Sequence, residues 1–269
     1  MTEQATIQLN QPPSRHDTGT PVWERVWRHV PDDAKDDAAL TREREGPRWA
    51  CMVDAMVETF GTLEGLRTVE LGSGRADLSV LLAERGAKVT LIDQSDKALD
   101  LARQRFDRLG LAADYREGDL LNPGKLVNEG FDVSLSYGVI EHFKHDARTK
   151  TMQTHHDVLR PGGLAVIGVP NSNCPQYRVW KAYLELRGWW PYGMEIPYSR
   201  RELLRRAEDV GFLNCRVPCT GFWQALGDQW GRSIIGRGPD WSQKRSMWDS
   251  WFGFSLLFLG WRQSGASGG

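Results

Sequence analysis

Two acidic residues and two glycines, placed along two apolar runs, form the most informative pattern in this sequence. Gly72 and Gly74 follow the run that contains Glu70, and glycine lets a backbone adopt positive φ angles and approach a ligand closely. Asp93 ends a second apolar run nineteen residues after Gly74. A carboxylate there can accept hydrogen bonds from both hydroxyls of a ribose. The pattern predicts a nucleoside site that includes Glu70, Gly72, Ser73, Gly74, Asp93 and Gln94.

The same geometry serves dinucleotide-binding enzymes, so a nicotinamide oxidoreductase is the first alternative. The third glycine of that fingerprint would fall at position 77, where this chain has Asp77. Because a carboxylate repels a pyrophosphate, Asp77 disfavours an oxidoreductase that uses NAD or NADP.

The glycine motif resembles the first motif of the class I S-adenosylmethionine-dependent methyltransferases, in which an acid precedes glycines at alternate positions. Ala76 stands where a third glycine is usual, and we expect a slightly changed loop that still binds the cofactor. Further segments resemble the branch that includes ubiquinone-biosynthesis and many small-molecule methyltransferases: Phe131–Ser134, Tyr137–Phe143, Pro161–Gly163 and Pro170–Asn171. The resemblance covers about residues 67–212 and implies S-adenosylmethionine as the methyl donor and S-adenosylhomocysteine as the product.

Two further segments are predicted at the cofactor. Asp119, with Leu120 after it, follows the third predicted strand, where a carboxylate can accept from the adenine amine and a backbone NH can donate to the ring. Tyr137 ends the fourth strand. Ligands of open parallel sheets bind at the carboxyl ends of the strands, so these residues complete the predicted cofactor site.

The catalytic prediction rests on His142, with Glu141 and Tyr137 beside it in sequence. Methyl transfer is an in-line displacement, so most of the catalysis is positioning. An acceptor hydroxyl or ammonium must still lose a proton, and an imidazole titrates near neutrality. Packing or helix capping is the alternative role of His142. His145 and Glu195 are weaker candidates for the base.

We expect no metal site. Metal-dependent relatives that act on RNA ends have a further carboxylate three residues before the Glu-His pair, and that position here is Gly138.

The 12 tryptophans avoid the stretch from Ala50 to Val179, which holds nearly every cofactor motif. In the resembled family, segments before the first strand and after the fifth cap the acceptor site. The distribution therefore predicts an aromatic-lined pocket for a partly apolar acceptor. Alternatively, any single tryptophan simply packs the additional helices. A third interpretation is that the aromatic C-terminal region forms a membrane-interface or dimer face.

Composition bounds the remaining function classes. With 269 residues and a net charge of -1, the chain suits one sizeable domain and lacks the basic excess of a nucleic-acid-binding protein. No apolar run reaches the roughly 20 residues that cross a bilayer, and the polar start lacks a signal-peptide core. We expect a cytoplasmic protein. Its four cysteines lack paired spacing and are expected to be reduced thiols.

Alternating strands and helices predict an α/β fold, with a Rossmann-like, seven-stranded, mostly parallel sheet and helices on both faces. The predicted organisation has a disordered stretch at residues 1–21, an N-terminal helical lid at 22–61, a methyltransferase domain at 62–262 and a flexible tail at 263–269. The domain carries insertions at about residues 172–198 and 221–251. The patterns also predict one helix over residues 38–60, a turn at Pro161–Gly163 before a fifth strand over residues 164–169, a helix that Gly211 ends, and a sixth strand from Phe212 to Cys219.

The sequence thus predicts methyl transfer to a small, partly apolar acceptor, at oxygen or nitrogen, with a possible homodimer. Two kinds of alternative stay open: a methyltransferase with a thiol, metalloid or RNA acceptor, and a non-catalytic module that binds S-adenosylmethionine.

Overall fold

A computed structural model describes residues 19–28, 35–124, 129–227, 241 and 244–264. Three helices precede the sheet: α1 (Thr20–Arg28), α2 (Lys35–Arg44) and α3 (Pro47–Phe60). The sequence predicts a single helix over residues 38–60, and this prediction is wrong. Gly46 has an extended backbone, and Pro47 begins α3, because a proline lacks the NH that a continuous helix would need there. The stretch predicted to be disordered lies almost entirely outside the described residues.

The described strands form one sheet with the order β3-β2-β1-β4-β5-β8-β6, and β7 pairs with β8. Strands β1 to β5 are parallel to one another, whereas β8 is antiparallel to β5, β6 and β7. The predicted α/β fold with a mostly parallel sheet is therefore confirmed. The strands are β1 (Arg67–Leu71), β2 (Lys88–Asp93), β3 (Ala113–Glu117), β4 (Phe131–Tyr137), β5 (Leu159–Pro170), β6 (Phe212–Arg216), β7 (Cys219–Thr220) and β8 (Ser255–Arg262).

In the part of the chain that the structure describes, the sheet has eight strands where seven are predicted. The predicted strand from Phe212 to Cys219 divides into β6 and β7 at Val217 and Pro218, since proline cannot donate to a strand ladder. Strand β5 also begins earlier than predicted. The expected turn at Pro161–Gly163 is an irregularity inside β5, opposite a register shift between Phe131 and Val133 of β4.

Within the described residues, seven helices follow or separate the strands: α4 (Asp77–Ala83), α5 (Asp96–Arg108), α6 (Asp146–Asp157), α7 (Pro175–Leu186), α8 (Arg200–Val210), α9 (Phe222–Gln224) and α10 (Asp249–Phe252). Side-chain caps fix two of them: the Ser95 Oγ accepts from the Ala98 NH at the start of α5, and the Ser199 Oγ accepts from the Glu202 NH at the start of α8. Gly211, with φ +95°, ends α8 as predicted.

Strand β5 shows why both faces of the sheet are covered. Leu164 and Val166 join a core cluster with α3, α4 and α5, whereas Ala165 and Ile167 join a second cluster with α6 and α8. Successive side chains of a strand point to opposite faces, so the apolar run of β5 is buried on both sides. In the described part of the chain, no helix combines the length and apolar character needed to cross a membrane.

Candidate active site

The loop between β1 and α4 is fixed to the end of β2 by backbone hydrogen bonds. The NH groups of Gly72 and Ser73 both donate to the carbonyl of Ile92, at 2.7 and 3.0 Å. Gly72 has φ +73°, and a Cβ there would lie 2.8 Å from both methyl carbons of Val139. Glycine is therefore required at this position for its conformation and for its close packing.

Asp93 holds the same loop through its side chain. One carboxylate oxygen accepts from the Gly74 NH at 2.9 Å and the other from the Ser95 NH at 3.0 Å. Burial raises the pKa of this carboxyl, and its backbone NH donors oppose that rise. Each carboxylate oxygen can accept a second bond, so Asp93 retains capacity for the predicted ribose hydroxyls. Gln94 accepts from the Thr20 hydroxyl of α1 at 3.1 Å.

Glu70 is directed to α4. The Ser79 hydroxyl donates to its carboxyl at 2.5 Å, and burial raises the pKa of Glu70 to about 8. This buried bond joins β1 to the helix that follows the glycine loop. Glu70 is thus placed to shape the loop from behind.

Ala76 and Asp77 close the loop. Ala76 adopts the left-handed conformation, with φ 57°, that the family's usual glycine would adopt more easily. Asp77 forms an ion pair with Arg105, whose guanidinium also donates to the carbonyl of Arg75 at 2.9 Å. An ion pair therefore stabilises the loop in which Ala76 replaces the usual glycine.

Asp119 and Leu120 lie just beyond the end of β3. The Asp119 carboxylate accepts from the Leu121 NH and from the Asn122 amide, both at 2.8 Å, which makes a compact turn. The Gly118 NH donates to the carbonyl of Asp93 at 3.0 Å. The tertiary structure thus brings the predicted adenine segment to the predicted ribose acid.

Tyr137, at the end of β4, contacts residues that sequence reasoning missed. The Arg48 guanidinium of α3 lies 3.5 Å from the centre of its ring, and Arg48 also forms an ion pair with Glu43. The Tyr137 hydroxyl donates to the Ser255 hydroxyl at 3.5 Å. These contacts join the end of β4 to α3 and β8.

Helix α1 lies across the glycine loop. A Cβ on Gly74 would lie 2.8 Å from two ring carbons of Trp27, so this indole packs directly on the glycine. The Ser95 hydroxyl donates to the Glu24 carboxylate at 2.6 Å. One turn earlier, Trp23 packs edge-on against His142, with ring centres 4.8 Å apart. A single helix therefore contacts both the cofactor loop and the predicted base.

His142 ends a single 3-10 turn, Ile140–His142, directly after β4. Its Nδ1 lies 2.7 Å from the Met194 carbonyl oxygen; because a carbonyl oxygen can only accept, Nδ1 carries the proton and Nε2 keeps its lone pair. Burial lowers the pKa of His142 to about 4, so the imidazole is neutral at pH 7. This is the protonation state that a general base requires.

Glu195, predicted only as a weaker candidate for the base, lies in the same cluster as Glu141 and His142. Its carboxyl, the Glu141 carboxyl and the His142 ring have ligand-capable atoms within 4.8 Å of one another. Burial raises the pKa of both carboxyls, and the charge of Glu141 raises the pKa of Glu195 further. His145, the residue before α6, has φ 48° and is not part of this cluster. The local sequence around Glu195 does not predict the cluster, since it forms only when the segment after α7 packs on the 3-10 turn.

The described tryptophans after Val179 range from buried to exposed. Trp190 is buried and packs edge-on against both Trp180 and Tyr192, and Tyr192 lies 6.5 Å from Trp23 of α1. A continuous series of aromatic rings therefore leads from α7 to His142. Trp189, Trp248 and Trp251 are 48%, 50% and 70% exposed. Trp230 lies outside the described residues.

Comparison with known protein families identifies a methyltransferase domain over residues 69–163, which contains the glycine loop, Asp93, Asp119 and His142. The ubiquinone biosynthesis O-methyltransferase of Rhizobium leguminosarum bv. trifolii is 34% identical over 193 residues, which cover 67% of this chain and 74% of that protein. The enzymes of the same name from Ruegeria pomeroyi and Paramagnetospirillum magneticum are 34% and 35% identical. Their alignments cover 42% and 48% of this chain but span only about half of those relatives, 44% and 51%.

Solved structures show the same fold at low sequence identity. The magnesium protoporphyrin IX methyltransferase of Synechocystis PCC 6803, solved with bound S-adenosylhomocysteine, has a TM-score of 0.58 and 17% identity, and the alignment covers 90% of this chain and 94% of that one. A possible histamine N-methyltransferase from Thermotoga maritima also has a TM-score of 0.58 and 17% identity, with 90% and 99% covered. The arrangement of strands and helices around the glycine loop is therefore shared.

Proposed function

Because the chain belongs to the class I S-adenosylmethionine-dependent methyltransferases, we propose that it transfers the methyl group of S-adenosylmethionine to a small acceptor. One observation carries this proposal: the ends of β1, β2 and β3 bring Gly72, Gly74, Asp93 and Asp119 together beneath α1. A cofactor without phosphates suits this loop, because Asp77 replaces the third glycine of the dinucleotide fingerprint and a carboxylate there would repel a pyrophosphate.

The proposed cofactor contacts follow from the strand ends. The backbone of Gly72, Ser73 and Gly74 faces the methionine part, Asp93 and Gln94 face the ribose, and Asp119 and Leu120 face the adenine. Glu70 supports this surface through Ser79. Tyr137 lies at the end of β4, next to the cofactor, where Arg48 holds its ring.

The proposed acceptor is a small molecule with an aromatic or apolar part, methylated on oxygen. Trp23 and Tyr192 line the approach to His142, and aromatic rings of this kind bind flat apolar groups. The O-methyltransferase relatives support oxygen as the target atom. Methylation of a thiol acceptor with the help of the protein's own cysteines is disfavoured. Burial raises the pKa of Cys174 to about 12 and that of Cys219 to about 11.

Removal of the acceptor proton is assigned to the cluster at the end of β4. His142 is its leading base, because its Nε2 lone pair is retained when Nδ1 donates to Met194. Glu141 and Tyr137 are the secondary candidates. Sulfur loses its positive charge in the transition state, so positioning of the donor and the acceptor supplies most of the remaining rate enhancement.

Calorimetric titration tests the proposed cofactor. Saturable binding of S-adenosylhomocysteine with no binding of NADPH is expected, and the reverse result would refute the proposal. Formation of S-adenosylhomocysteine is then measured across a panel of phenols, catechols and quinols, with amines, thiols and RNA as comparison acceptors. Tight cofactor binding with no turnover on any acceptor would favour a non-catalytic binding module.

The proposed base is tested with the acceptor that this panel identifies. Replacement of His142 by alanine is expected to lower turnover about 100-fold, with the affinity for S-adenosylhomocysteine unchanged. Turnover equal to that of the unmodified protein would return His142 to a packing role against Trp23.

A further inference from the structure

Glu141, His142 and Glu195, here named the carboxylate-imidazole cluster, contain polar atoms that have no partner among the described residues. Glu141 is 1% exposed, and its Oε2 makes no hydrogen bond in that part of the chain; the same is true of the buried Oε1 of Glu195. Ligand-capable atoms of all three side chains lie within 4.8 Å of one another. A buried carboxylate without a partner is costly, so two of them together indicate a ligand that neutralises both.

Neighbouring cations already have other partners. Arg148 pairs with Glu202 at 3.0 Å and lies 3.5 Å from the centre of the Tyr198 ring. Lys181 pairs with Glu185 and lies 4.7 Å from the centre of the Trp190 ring. The charge of Arg148 opposes the raised pKa of Glu141. Within the described residues, however, no cation is hydrogen-bonded to the Glu141 Oε2 or to the Glu195 Oε1.

Backbone contacts hold the three side chains in place. The His142 Nδ1 donates to the Met194 carbonyl, and the Ile196 NH donates to the Glu141 carbonyl at 2.9 Å. Arg148 then donates to the Ile196 carbonyl, also at 2.9 Å. Glu195 is thus fixed from both sides against the 3-10 turn. A carbonyl acceptor on one ring nitrogen is also how proteins orient a histidine whose other nitrogen binds a metal.

We propose that Glu141, His142 and Glu195 bind one divalent cation of the Mn²⁺ class, through one oxygen of each carboxyl and the Nε2 of His142. Carboxylate oxygens suit Mg²⁺ and Mn²⁺, and an imidazole shifts the preference towards the first-row transition metals. Gly138 stands where metal-dependent relatives have a carboxylate. In this chain, Glu195 supplies the second carboxylate from a different segment.

A cation with three protein ligands keeps positions open for an exogenous oxygen. If the proposed methyl transfer is correct, an acceptor hydroxyl bound there loses its proton more readily. With the cation bound, the Nε2 of His142 is a ligand, so the role of base proposed above for His142 applies to the protein without the cation. This role rests on the proposed function, whereas binding of the cation does not.

The test is a titration of the full chain, freed of metal by a chelator, with Mn²⁺, in which electron paramagnetic resonance measures the free ion. One saturable site is expected. Glu195→Gln and Glu141→Gln should each weaken Mn²⁺ binding about tenfold or more. Glu208→Gln makes the same chemical change on the exposed surface of α8, and it should bind Mn²⁺ as the unmodified protein does.

Unmodified protein without saturable Mn²⁺ binding, or Glu195→Gln protein with unchanged binding, would overturn the cation site. Circular dichroism checks the fold of each variant, and Glu195→Gln decides the question if Glu141→Gln fails to fold, because Glu195 lies in a loop. Calorimetry with S-adenosylhomocysteine on the same preparations separates the two proposals. Normal binding of this ligand without a cation site would leave the proposed methyl transfer intact.

Discussion

The proposed methyl-donor end of the site and its proposed acceptor end, below called the donor end and the acceptor end, are built in different ways. The donor end comprises residues 72–76 with Asp93 and Asp119, where backbone NH groups donate to the Ile92 carbonyl and to carboxylates at the strand ends. The acceptor end comprises the 3-10 turn Ile140–His142 and residues 194–196, where side chains from distant segments meet and leave buried carboxyl oxygens without partners among the described residues. Hydrogen bonds thus fix the backbone of the donor end, whereas the acceptor end has unused polar capacity.

The largest expected effect concerns the support of the donor end. Burial raises the pKa of Glu70 from 4.5 to about 8, so the folded protein binds this proton more tightly than the unfolded chain. Its stabilising contribution is complete below about pH 4.5 and is lost as the pH rises through 8. Glu70→Gln removes this titration. Relative to the variant, the unmodified protein should lose about 4 kcal/mol of unfolding free energy between these pH values. Each pKa unit corresponds to about 1.4 kcal/mol, and the loss is slightly less than that of the full pKa change because each titration is only half complete at its own pKa.

Denaturant unfolding at pH 5, 6.5 and 8 measures this difference. Glu208→Gln, exposed on α8, is the matched control and should follow the unmodified protein at each pH. If the free energy of unfolding changes with pH in the same way for the Glu70→Gln variant and the unmodified protein, the raised pKa of Glu70 does not determine the stability of the donor end.

Asp93→Asn should weaken S-adenosylhomocysteine binding by about 2 kcal/mol, or roughly 30-fold, because charge-assisted hydrogen bonds are lost. An asparagine also turns an NH₂ group towards one of the two backbone donors, Gly74 or Ser95. Asp100→Asn, on the exposed surface of α5, should leave the affinity within about twofold. Calorimetry compares the two variants, and equal affinities would remove Asp93 from the donor end.

Two tryptophans of α1 separate the ends directly. Trp27 packs on Gly74 and Trp23 packs on His142. Trp27→Ala should therefore raise the dissociation rate of S-adenosylhomocysteine about fivefold, since packing of the indole on the glycine loop is lost, with little effect on the acceptor KM. Trp23→Ala should do the opposite and raise the acceptor KM about fivefold. Stopped-flow dissociation and steady-state kinetics supply the two readouts; the same effect from both variants would mean that α1 acts as one undivided lid.

Ala76→Gly should have the smallest effect. The left-handed conformation of Ala76 costs about 1 kcal/mol that glycine avoids, but glycine loses more entropy on folding and buries one methyl group less. The free energy of unfolding should therefore stay within about 1 kcal/mol of that of the unmodified protein. Thermal unfolding measures it, and a loss of several kcal/mol would show that the methyl group packs against the loop as an essential contact.

Sequence patterns predicted the parallel strands, and they predicted that the glycine loop and Asp93 lie at neighbouring strand ends, because both features are encoded over short stretches. An apolar run, two glycines and a terminal acid lie within 25 residues, from Val69 to Asp93, and parallel strands bring such ends to one edge. The pattern was less informative where single residues decide the outcome. Pro47 divided a predicted helix, and Pro218 interrupted a predicted strand, since each removes one backbone donor from an otherwise favourable run.

By itself, the sequence determined the family, the order of the strands along the chain and the position of the methyl-donor motif, because neighbouring residues specify local conformation and burial. The tertiary structure alone decided what surrounds the acceptor end. His142 and Met194 are 52 residues apart in sequence, and Trp23 comes from a helix before the sheet. Contacts between such distant segments depend on how helices and loops pack on the finished sheet, and no local pattern around Glu195 records that packing.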